Sequence, residues 1–448
     1  MKKYESYKNS GIDWIGDIPK SWIVAKIGFF SDVYRGSGYQ ILNEVDEDYN
    51  GKKEKVLRIG DFNSYNPIWC EYKEQFENYR INKDDLLIGG TGHYFGKSLS
   101  VTEEMVGLIH SYNIIRLVIN KLCSKYVFYW LSSPLIREQL DISVLGAGQP
   151  FIDIKGLKDM QILTPSLKEQ TQIANYLDHK TKIIDALIEK KEQLIKKLQA
   201  QRQAIINEAV TKGLNPNTKM KDSGVEWLGE IPEHWKVVKF RYKFNTTKGL
   251  TITKSNLLDE GIPCVNYGEI HSKYGFEVNP EIHKLKYVSE DYLDSNESSL
   301  LSKGDFVFAD TSEDIEGAGN FTHLNSDIPT FAGYHTIIAR LIDESNYRFV
   351  AYFLDSIAYR AQIQNLVKGV KVYSITNKIL KDTSLFFPPE NEQDAIAQFI
   401  DNKVEKISSS RIKLEESIKK LKTYRQSIIS EAVTGKIDIR DWQAPSKN

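Results

Sequence analysis

The chain has 448 residues, of which 41% are hydrophobic and 27% charged, a composition typical of a folded globular protein with room for about three domains. Its formal net charge is −1 and its isoelectric point is near 6.7, so bulk charge neither indicates nor excludes a nucleic-acid partner, which needs only a local basic patch. The 3 cysteines have no paired spacing, which argues against a disulfide framework or a zinc site and favours a reducing compartment.

The first residues, Met1–Ser6, lead into polar residues rather than into an apolar segment, so no signal peptide is predicted. No stretch approaches the roughly 20 apolar residues that span a bilayer. We therefore expect a cytoplasmic protein with no membrane partner.

One phrase of the sequence occurs twice. The segment Ser10–Pro19, followed by Trp22, returns 213 residues later as Ser223–Pro232, followed by Trp235. Repeat architectures such as solenoids have periods of roughly 20–50 residues, which is far shorter. The chain therefore consists of two whole modules in tandem, and two modules suggest a target in two parts.

Each module begins with a globular part, at about 20–160 and 235–385. Short β-type runs such as Lys55–Ile59 and Asp305–Phe308, with turns beside them, predict a mixed α+β domain. The two modules share short similar segments, such as Tyr126–Leu131 and Phe349–Leu354. The sequences between these segments have diverged almost completely. This pattern fits two related readers of different targets, and ordinary drift after duplication gives the same divergence.

The loop Thr91–Ser98 is the clearest candidate for an enzymatic site. A phosphate-binding loop has the pattern G-x-x-x-x-G-K-[ST], and here Gly96, Lys97 and Ser98 match while Thr91 stands in the place of the first glycine. The residues after Ser98 are β-like, so no helix N-terminus is supplied for a phosphate. A nucleotide-dependent enzyme using Lys97 remains an alternative function.

Other catalytic motifs are absent from the sequence. Phe387–Glu390 is the nearest match to the N/D-P-P-[YF] loop that holds a flipped base in DNA methyltransferases, and it lacks the amide and the aromatic residue. Asp153 and Lys155 form a D-x-K fragment without the further carboxylate that a metal nuclease needs. We therefore expect a non-catalytic chain that has no metal site.

Several loops have the chemistry for binding nucleic acid. A basic residue precedes glycine at Arg35-Gly36 and at Lys248-Gly249; the cation neutralises a phosphate, and glycine lets the backbone approach it. Structural turns explain the same pattern, and a solvated surface lysine is the alternative for Lys155 and Lys378.

Side chains that could reach base edges occupy equivalent positions before a strand in both modules, as asparagine does when it contacts adenine. The predicted DNA-binding residues are Arg35, Tyr39, Lys97, Tyr112, Asn113, Gln149 and Lys155 in the first module, and Lys248, His335, Lys371, Tyr373 and Lys378 in the second.

A long helix ends each module. The first is predicted to begin after Pro165, where Ser166 and Glu169 have the spacing of a capping box, and to reach Val210 without proline or glycine. The second is predicted to begin after Pro389 and to reach about Val433. A turn-rich linker at 213–218 follows the first helix.

Apolar residues in these helices recur every seven residues, which predicts a coiled coil. If the two modules are related by a pseudo-twofold axis, the two helices pair antiparallel. A helix that simply docks on its own domain is the alternative. The predicted seam residues are Leu177, Ile184, Leu187, Leu194, Leu198 and Ile205 in the first helix, and Ile400, Ile407, Leu414, Leu421 and Ile428 in the second.

Taken together, these motifs resemble those of the specificity subunit (HsdS) of type I restriction–modification systems, over essentially the whole chain. The resemblance rests on the doubled Ser10–Pro19 phrase, the P-x-x-x-x-Q start of each long helix at Pro165–Gln170 and Pro388–Gln393, and the Arg-Gln to Glu-Ala-Val-Thr close at Arg202–Thr211 and Arg425–Thr434.

The resemblance implies two target recognition domains that each read half of a bipartite double-stranded DNA sequence, with a tandem pseudo-twofold repeat of the fold. Paired helices would fix the gap and dock two methylation (HsdM) subunits, and restriction (HsdR) subunits would join them. S-adenosylmethionine, ATP and Mg would be bound by those partners and not by this chain.

The implied domains are a first recognition domain at 1–164, a helix at 165–212, a linker with the second recognition domain at 213–387, and a helix with a tail at 388–448. The remaining alternative is a structural coiled-coil adaptor without DNA sequence preference.

Overall fold

The computed structural model describes residues 2–38, 42–142, 144–145, 151–225, 229–367 and 372–444. The chain divides into two compact units that differ from the two sequence repeats. Unit 1 comprises Met1–Glu192 with Glu415–Asn448, and unit 2 comprises Gln193–Leu414. Each unit therefore contains the start of one long helix and the end of the other.

Unit 1 mixes strands and helices, as the predicted α+β class requires. Its strands are β1 (Tyr7–Asn9), β2 (Asp17–Pro19), β3 (Ile23–Lys26), β4 (Ser31–Arg35), β5 (Lys53–Leu57), β6 (Ile68–Glu71), β7 (Leu86–Gly89), β8 (Ser98–Ser100), β9 (Ile109–His110), β10 (Ile114–Ile119), β11 (Val144–Leu145), β12 (Phe151–Ile152) and β13 (Gln161–Thr164). Its helices are α1 (Ser124–Ser132), α2 (Pro134–Ile142), α3 (Ile154–Asp159) and the first part of α4 (Leu167–Lys212). An antiparallel sheet has the order β4-β10-β7-β8, and a smaller one has the order β6-β5-β9.

Unit 2 repeats this plan with additional strands. Its strands are β14 (Met220–Asp222), β15 (Glu230–Pro232), β16 (Lys236–Lys239), β17 (Phe244–Lys248), β18 (Ile262–Val265), β19 (Phe276–Val278), β20 (Lys286–Val288), β21 (Leu300–Leu301), β22 (Phe306–Ala309), β23 (Thr311–Ser312), β24 (Phe321–Leu324), β25 (Thr330–Ala332), β26 (Thr336–Leu341), β27 (Tyr373–Ser374) and β28 (Ser384–Phe387). Its helices are α5 (Tyr267–Ser272), α6 (Tyr292–Ser295), α7 (Tyr347–Asp355), α8 (Ile357–Leu366), α9 (Asn377–Asp382) and the first part of α10 (Glu390–Val433). Its larger sheets have the orders β17-β26-β22-β24-β19 and β20-β18-β25-β21.

The central strands β7 and β22 are buried on both faces. In β22, Phe306 and Phe308 belong to the main core of unit 2, whereas Val307 and Ala309 belong to a second apolar cluster on the other face. This explains why these runs are continuously apolar instead of alternating with polar residues.

The two long helices form where the sequence predicted them. Helix α4 has 46 residues and α10 has 44. The Ser166 hydroxyl caps α4 by accepting a hydrogen bond from the Glu169 amide at 3.3 Å. No helix of the described residues is long and apolar enough to cross a bilayer.

The helices run antiparallel within unit 1, where Arg425 pairs with Asp185 at 2.9 Å and Lys422 with Glu192 at 3.8 Å. The apolar stripe of α4 differs from the predicted seam at two positions. Leu187 and Leu194 are 42% and 44% exposed, whereas their neighbours Ile188 and Ile195 are buried and half-buried.

After Ile184 the next buried residue of the stripe is therefore Ile188, four residues later. Leu187 and Leu194 were wrongly assigned to the seam because their neighbours are equally apolar. The remaining predicted seam residues are buried or half-buried: Leu177, Ile184, Leu198, Ile205, Ile400, Ile407, Leu414, Leu421 and Ile428.

The doubled opening phrase folds the same way in both units. Ser10 and Ser223 each close a turn, with their amides donating to the carbonyls of Gly16 and Gly229 at 3.1 and 3.0 Å. A fully buried tryptophan follows each copy of the phrase. Its indole N–H donates to a glutamate in the first turn of a long helix. These pairs are Trp22 with Glu169 at 3.1 Å and Trp235 with Glu392 at 3.2 Å.

The glutamine of each P-x-x-x-x-Q motif is also explained. The buried Gln170 side chain accepts from the Cys123 amide at 2.9 Å and donates to the Pro165 carbonyl at 2.9 Å. Gln393 makes the same pair of bonds with the Asn346 amide and the Pro388 carbonyl, both at 3.0 Å. The motif therefore joins the start of each long helix to the loop before α1 or α7.

A cation, a carboxylate and a tyrosine hold each globular part on its helix about two turns further along. In unit 1, Asp178 of α4 pairs with Lys125 at 2.6 Å and accepts from the Tyr129 hydroxyl at 2.7 Å. In unit 2, Asp401 of α10 pairs with Arg348 and accepts from the Tyr352 hydroxyl, both at 2.5 Å.

The closing phrase of each long helix packs in the unit that holds the other helix's start. In unit 1, Gly435 approaches Pro19 so closely that a Cβ there would lie 2.4 Å from the proline ring. In unit 2, a Cβ on Gly213 would lie 2.9 Å from the Glu392 carboxylate. Each globular part therefore contacts the start of one long helix and the end of the other.

Replacement of Gln393 by alanine is expected to lower the free energy of unfolding of unit 2 by about 1–3 kcal/mol, because it leaves a buried amide and carbonyl unpaired. Urea unfolding of the full chain measures the change. The exposed Gln398, in the next turn of α10, provides the control: Gln398→Ala should stay within about 0.5 kcal/mol of the wild type. Equal effects of the two substitutions would contradict this account of the motif.

Candidate nucleic-acid interface

Equivalent strand ends in the two units carry the predicted Arg-Gly and Lys-Gly pairs. At Gly36 a Cβ would lie 2.2 Å from the Ser111 carbonyl oxygen, and at Gly249 it would lie 2.2 Å from the Gly333 carbonyl oxygen. Both glycines are thus required by close approach to the loop that precedes β10 or β26. Glycine is therefore required at these two positions by contacts within the protein. The phosphate contact remains a prediction only for the basic residues, Arg35 and Lys248.

In unit 1 the structure brings Arg35 and Tyr112 together. The Arg35 guanidinium lies 5.0 Å from the centre of the Tyr112 ring and donates to the Ile152 carbonyl at 2.6 Å. The arginine therefore links the end of β4 to β12, the strand that contains Ile152. Tyr112 is 44% exposed, so its ring is available at the surface.

Lys97 belongs to a second cluster of unit 1. Its ammonium donates to the Asn63 side chain and lies 5.5 Å from the centre of the Tyr94 ring, while Asn63 also donates to the Tyr94 hydroxyl at 3.1 Å. Strand β8 follows Lys97, as predicted, so the phosphate-loop pattern is not followed by a helix N-terminus here.

In unit 2, His335 occupies the place of Tyr112. Its Nδ1 lies 3.2 Å from the Asp310 carboxylate, its ring packs edge-on against Tyr267 at 5.3 Å, and its backbone is in the left-handed region at φ 56°. Such a conformation is unfavourable for a residue other than glycine and is often found at functional positions. Tyr373 lies on β27, which pairs with β23 beside this loop.

A groove of about 720 Å³ opens beside His335, and its floor is a fixed hydrogen-bond chain. The His271 Nε2–H donates to the Thr311 carbonyl at 2.8 Å, so its Nδ1 accepts from the Asn320 amide at 2.8 Å. Arg360 donates to the Asn320 oxygen, and burial lowers the pKa of that guanidinium while Asp355 opposes the shift.

Sequence reasoning missed Tyr267, His271 and Asn320 as surface residues of this groove. Tyr267 and His271 lie on α5, whereas Asn320 directly precedes β24, so only the tertiary fold brings the three together. The capping-box spacing of Asn266 and Glu269 predicts the start of α5 but not what the helix faces.

The other predicted residues are placed as follows. Lys155 and Lys378 are exposed in the first turns of the equivalent helices α3 and α9, and Lys248 is exposed at the end of β17. The Asn113 carbonyl accepts from the Gly90 amide at 2.8 Å. Tyr39, Gln149 and Lys371 lie outside the described residues.

The D-x-K fragment has a structural explanation. The Asp153 side chain accepts from the Gly156 amide at 2.9 Å and so caps α3, and Thr376 caps α9 in the same manner. Among the described residues there is no group of three or more histidine, cysteine or acidic side chains that could hold a metal ion.

Comparison with known proteins gives a consistent result. A family model described as the type I restriction modification DNA specificity domain matches twice, at residues 19–197 and 232–420. The chain is 25% identical over 437 residues to the type I restriction enzyme MjaVIII specificity subunit of Methanocaldococcus jannaschii, covering 95% of each chain. It is 22% identical to the EcoKI specificity subunit of Escherichia coli K12, covering 96% of this chain and 92% of the relative.

A solved structure of a type I restriction–modification system, described in terms of complex assembly and conformational transition, contains a chain of the same fold. It aligns with a TM-score of 0.69 at 15% identity and covers 94% of this chain and 99% of the other.

Gly36→Ala is expected to destabilise unit 1 by about 1–3 kcal/mol, because the new methyl group would collide with backbone carbonyls that cannot move freely. Gly38 is the matched control, since among the described residues no atom beyond its chain neighbours lies within 4 Å of a Cβ placed there. Chemical denaturation of both variants tests the close approach, and a Gly36→Ala variant as stable as Gly38→Ala would refute it.

Proposed function

Since the chain belongs to the family of type I restriction–modification DNA specificity subunits, whose role is sequence-specific recognition of DNA, we propose that each of its units reads one half of a bipartite target. The observation that carries this proposal is the pair of equivalent loops at the ends of β4 and β17. They share one frame but present different side chains, Arg35 and Tyr112 in unit 1 and His335 with Asp310 in unit 2.

The chemistry of these loops suits the edges of bases. A tyrosine or histidine at the tip can contact a base, while arginine and lysine nearby neutralise phosphates and set the register of the protein on the duplex. In unit 2 the Asp310 carboxylate can accept a hydrogen bond from the His335 Nδ1–H, which leaves Nε2 as the ring nitrogen that a base edge can contact. Different tips would read different half-sites, and the target would therefore be asymmetric.

The antiparallel helices are proposed to fix the gap between the half-sites. The separation of two readers on a rigid support determines the spacing of the DNA sequences that they can bind together, with one helical turn of about 34–36 Å as the natural step. The bonds of Gln170, Gln393, Asp178 and Asp401 supply that support, since each fixes a globular part to its helix.

We propose that the chain itself is not catalytic and works in the cytoplasm with partner subunits of the restriction–modification complex. Two methylation subunits would bind S-adenosylmethionine and modify the DNA, and restriction subunits would supply ATP- and Mg-dependent chemistry. The capping role of Asp153 and the strand that follows Lys97 support this division, because they account for both motif fragments that suggested an active site.

Co-expression with the cognate methylation subunit, followed by mapping of methyladenine in host DNA, tests the function. The expected result is a two-part motif with a fixed gap. A coiled-coil adaptor would instead produce no sequence preference and no steep dependence of DNA binding on salt. Loss of an intrinsic ATPase in Lys97→Ala would support the enzyme alternative.

Single substitutions should separate the two half-sites. Tyr112→Ala is expected to relax base preference in one half only, and His335→Ala in the other half only, by about 1–3 kcal/mol at the affected base pair. Phe29, whose side chain is 74% exposed, provides a neutral control as Phe29→Ala. Relaxation of both halves by either substitution would contradict the assignment of one half-site to each unit.

A further inference from the structure

An open groove of about 800 Å³ lies in unit 2 where helix α4 ends. Its apolar walls include Phe399 of α10 and Leu214, which are 37% and 41% exposed, and its charged lining residues are Glu208, Glu230 and Lys212. Large apolar side chains left exposed together in a concave surface are typical of binding sites.

The same place in unit 1 is already filled. Tyr176 precedes Phe399 by 223 residues and occupies the equivalent position on α4, yet it is only 4% exposed. The indole of Trp442, in the segment after α10, packs edge-on against the Tyr176 ring with the ring centres 5.3 Å apart. The Gln172 side chain donates a hydrogen bond to the Trp442 carbonyl.

The other end of the groove is filled by the same segment in unit 1. Lys436 donates to the carbonyls of Ile15 and Asp17 at 3.0 and 2.8 Å. Asp17 is the counterpart of Glu230, which lines the open groove of unit 2. Residues 436–442 thus cover, in unit 1, both ends of the surface that unit 2 leaves open.

In the described part of unit 2, the segment that follows the long helix takes a different course. After Gly213 the polypeptide turns through 215–218 and enters β14, so Leu214 and Pro216 become a wall of the groove instead of its contents. The two units therefore differ at a position where the rest of their frame is the same.

We propose that the groove of unit 2 binds an extended segment of the methylation subunit that places an aromatic side chain against Phe399 and a cation near Glu208 and Glu230. This rests on the proposed function. The segment at 436–442 shows the chemistry that this surface accepts, an aromatic ring, Trp442, six residues after a lysine, Lys436. A second copy of the chain is disfavoured as the occupant, because its own segment is held in unit 1 by the contacts of Lys436 and Trp442.

The groove makes unit 1 and unit 2 different binding surfaces for a methylation subunit. A methylation subunit that approaches unit 2 gains the groove, whereas one that approaches unit 1 meets a surface already closed by Trp442. We therefore expect the two methylation subunits to bind with unequal affinity, the tighter one on unit 2.

The test uses the full chain titrated with the purified cognate methylation subunit, with mass photometry as the measurement. Phe399→Ala and, separately, Leu214→Ser are each expected to weaken the tighter of the two binding steps at least tenfold. Phe399→Tyr should retain it, because unit 1 uses tyrosine at that position. Ile342→Ala removes a side chain of unit 2 that is 53% exposed but outside the groove, and it should leave both steps unchanged.

A peptide with the sequence of Gly435–Ala444 provides an independent probe. It is expected to bind the full chain once and to displace one methylation subunit, whereas the same peptide with Trp442→Ala should do neither. Folding of each variant is checked by its thermal unfolding, and Leu214→Ser keeps the test available if Phe399→Ala does not fold.

The proposal is overturned if folded Phe399→Ala and Leu214→Ser bind both methylation subunits as the wild type does. That result is distinguishable from failure of the proposed function, in which the wild-type complex would not methylate a bipartite sequence at all.

Discussion

The docking of each long helix end against the tryptophan segment of the opposite repeat is the contact on which the rest of the structure depends. In unit 1 the Tyr126 hydroxyl donates to the Val433 carbonyl at 3.3 Å, and Gly435 lies against Pro19. Because Trp22 also binds Glu169 at the other helix's start, one buried side chain joins both helices to the globular part. The loops that carry the candidate DNA contacts therefore project from a base with little freedom to move, as precise recognition requires.

This arrangement separates the frame that the two repeats share from the surface in which they differ. The repeated phrases are all involved in holding helices to sheets, through the serine turns, the tryptophans and the two buried glutamines. None of them lies at the strand ends where Tyr112 and His335 are found. Since the contacts of the frame do not involve the side chains of Tyr112 and His335, substitutions of these two residues are expected to leave the frame intact.

The sequence predicted the long helices well, because they begin at marked prolines and contain no residue that would break them. It predicted the helix stripe less well, since Leu187 and Ile188 are both apolar and only packing decides between them. The steric reason for glycine at position 36 could not be predicted from the sequence either, because its close neighbour is the Ser111 carbonyl, 75 residues away along the chain. The groove of Tyr267, His271 and Asn320 depends on the approach of α5 to the start of β24, about 50 residues later, which no local pattern encodes.

The division of the chain into units has a consequence for biosynthesis. Domains usually fold in the order in which the ribosome makes them, with the N-terminal one first. Here unit 2 is a continuous stretch, Gln193–Leu414, whereas unit 1 is completed only by Glu415–Asn448. The second reader can thus fold on the ribosome while the first still lacks Ile428, Ile429 and Val433 from its core. A chain terminated before Glu415 would therefore leave unit 1 without part of its core, although it would contain every residue of unit 2.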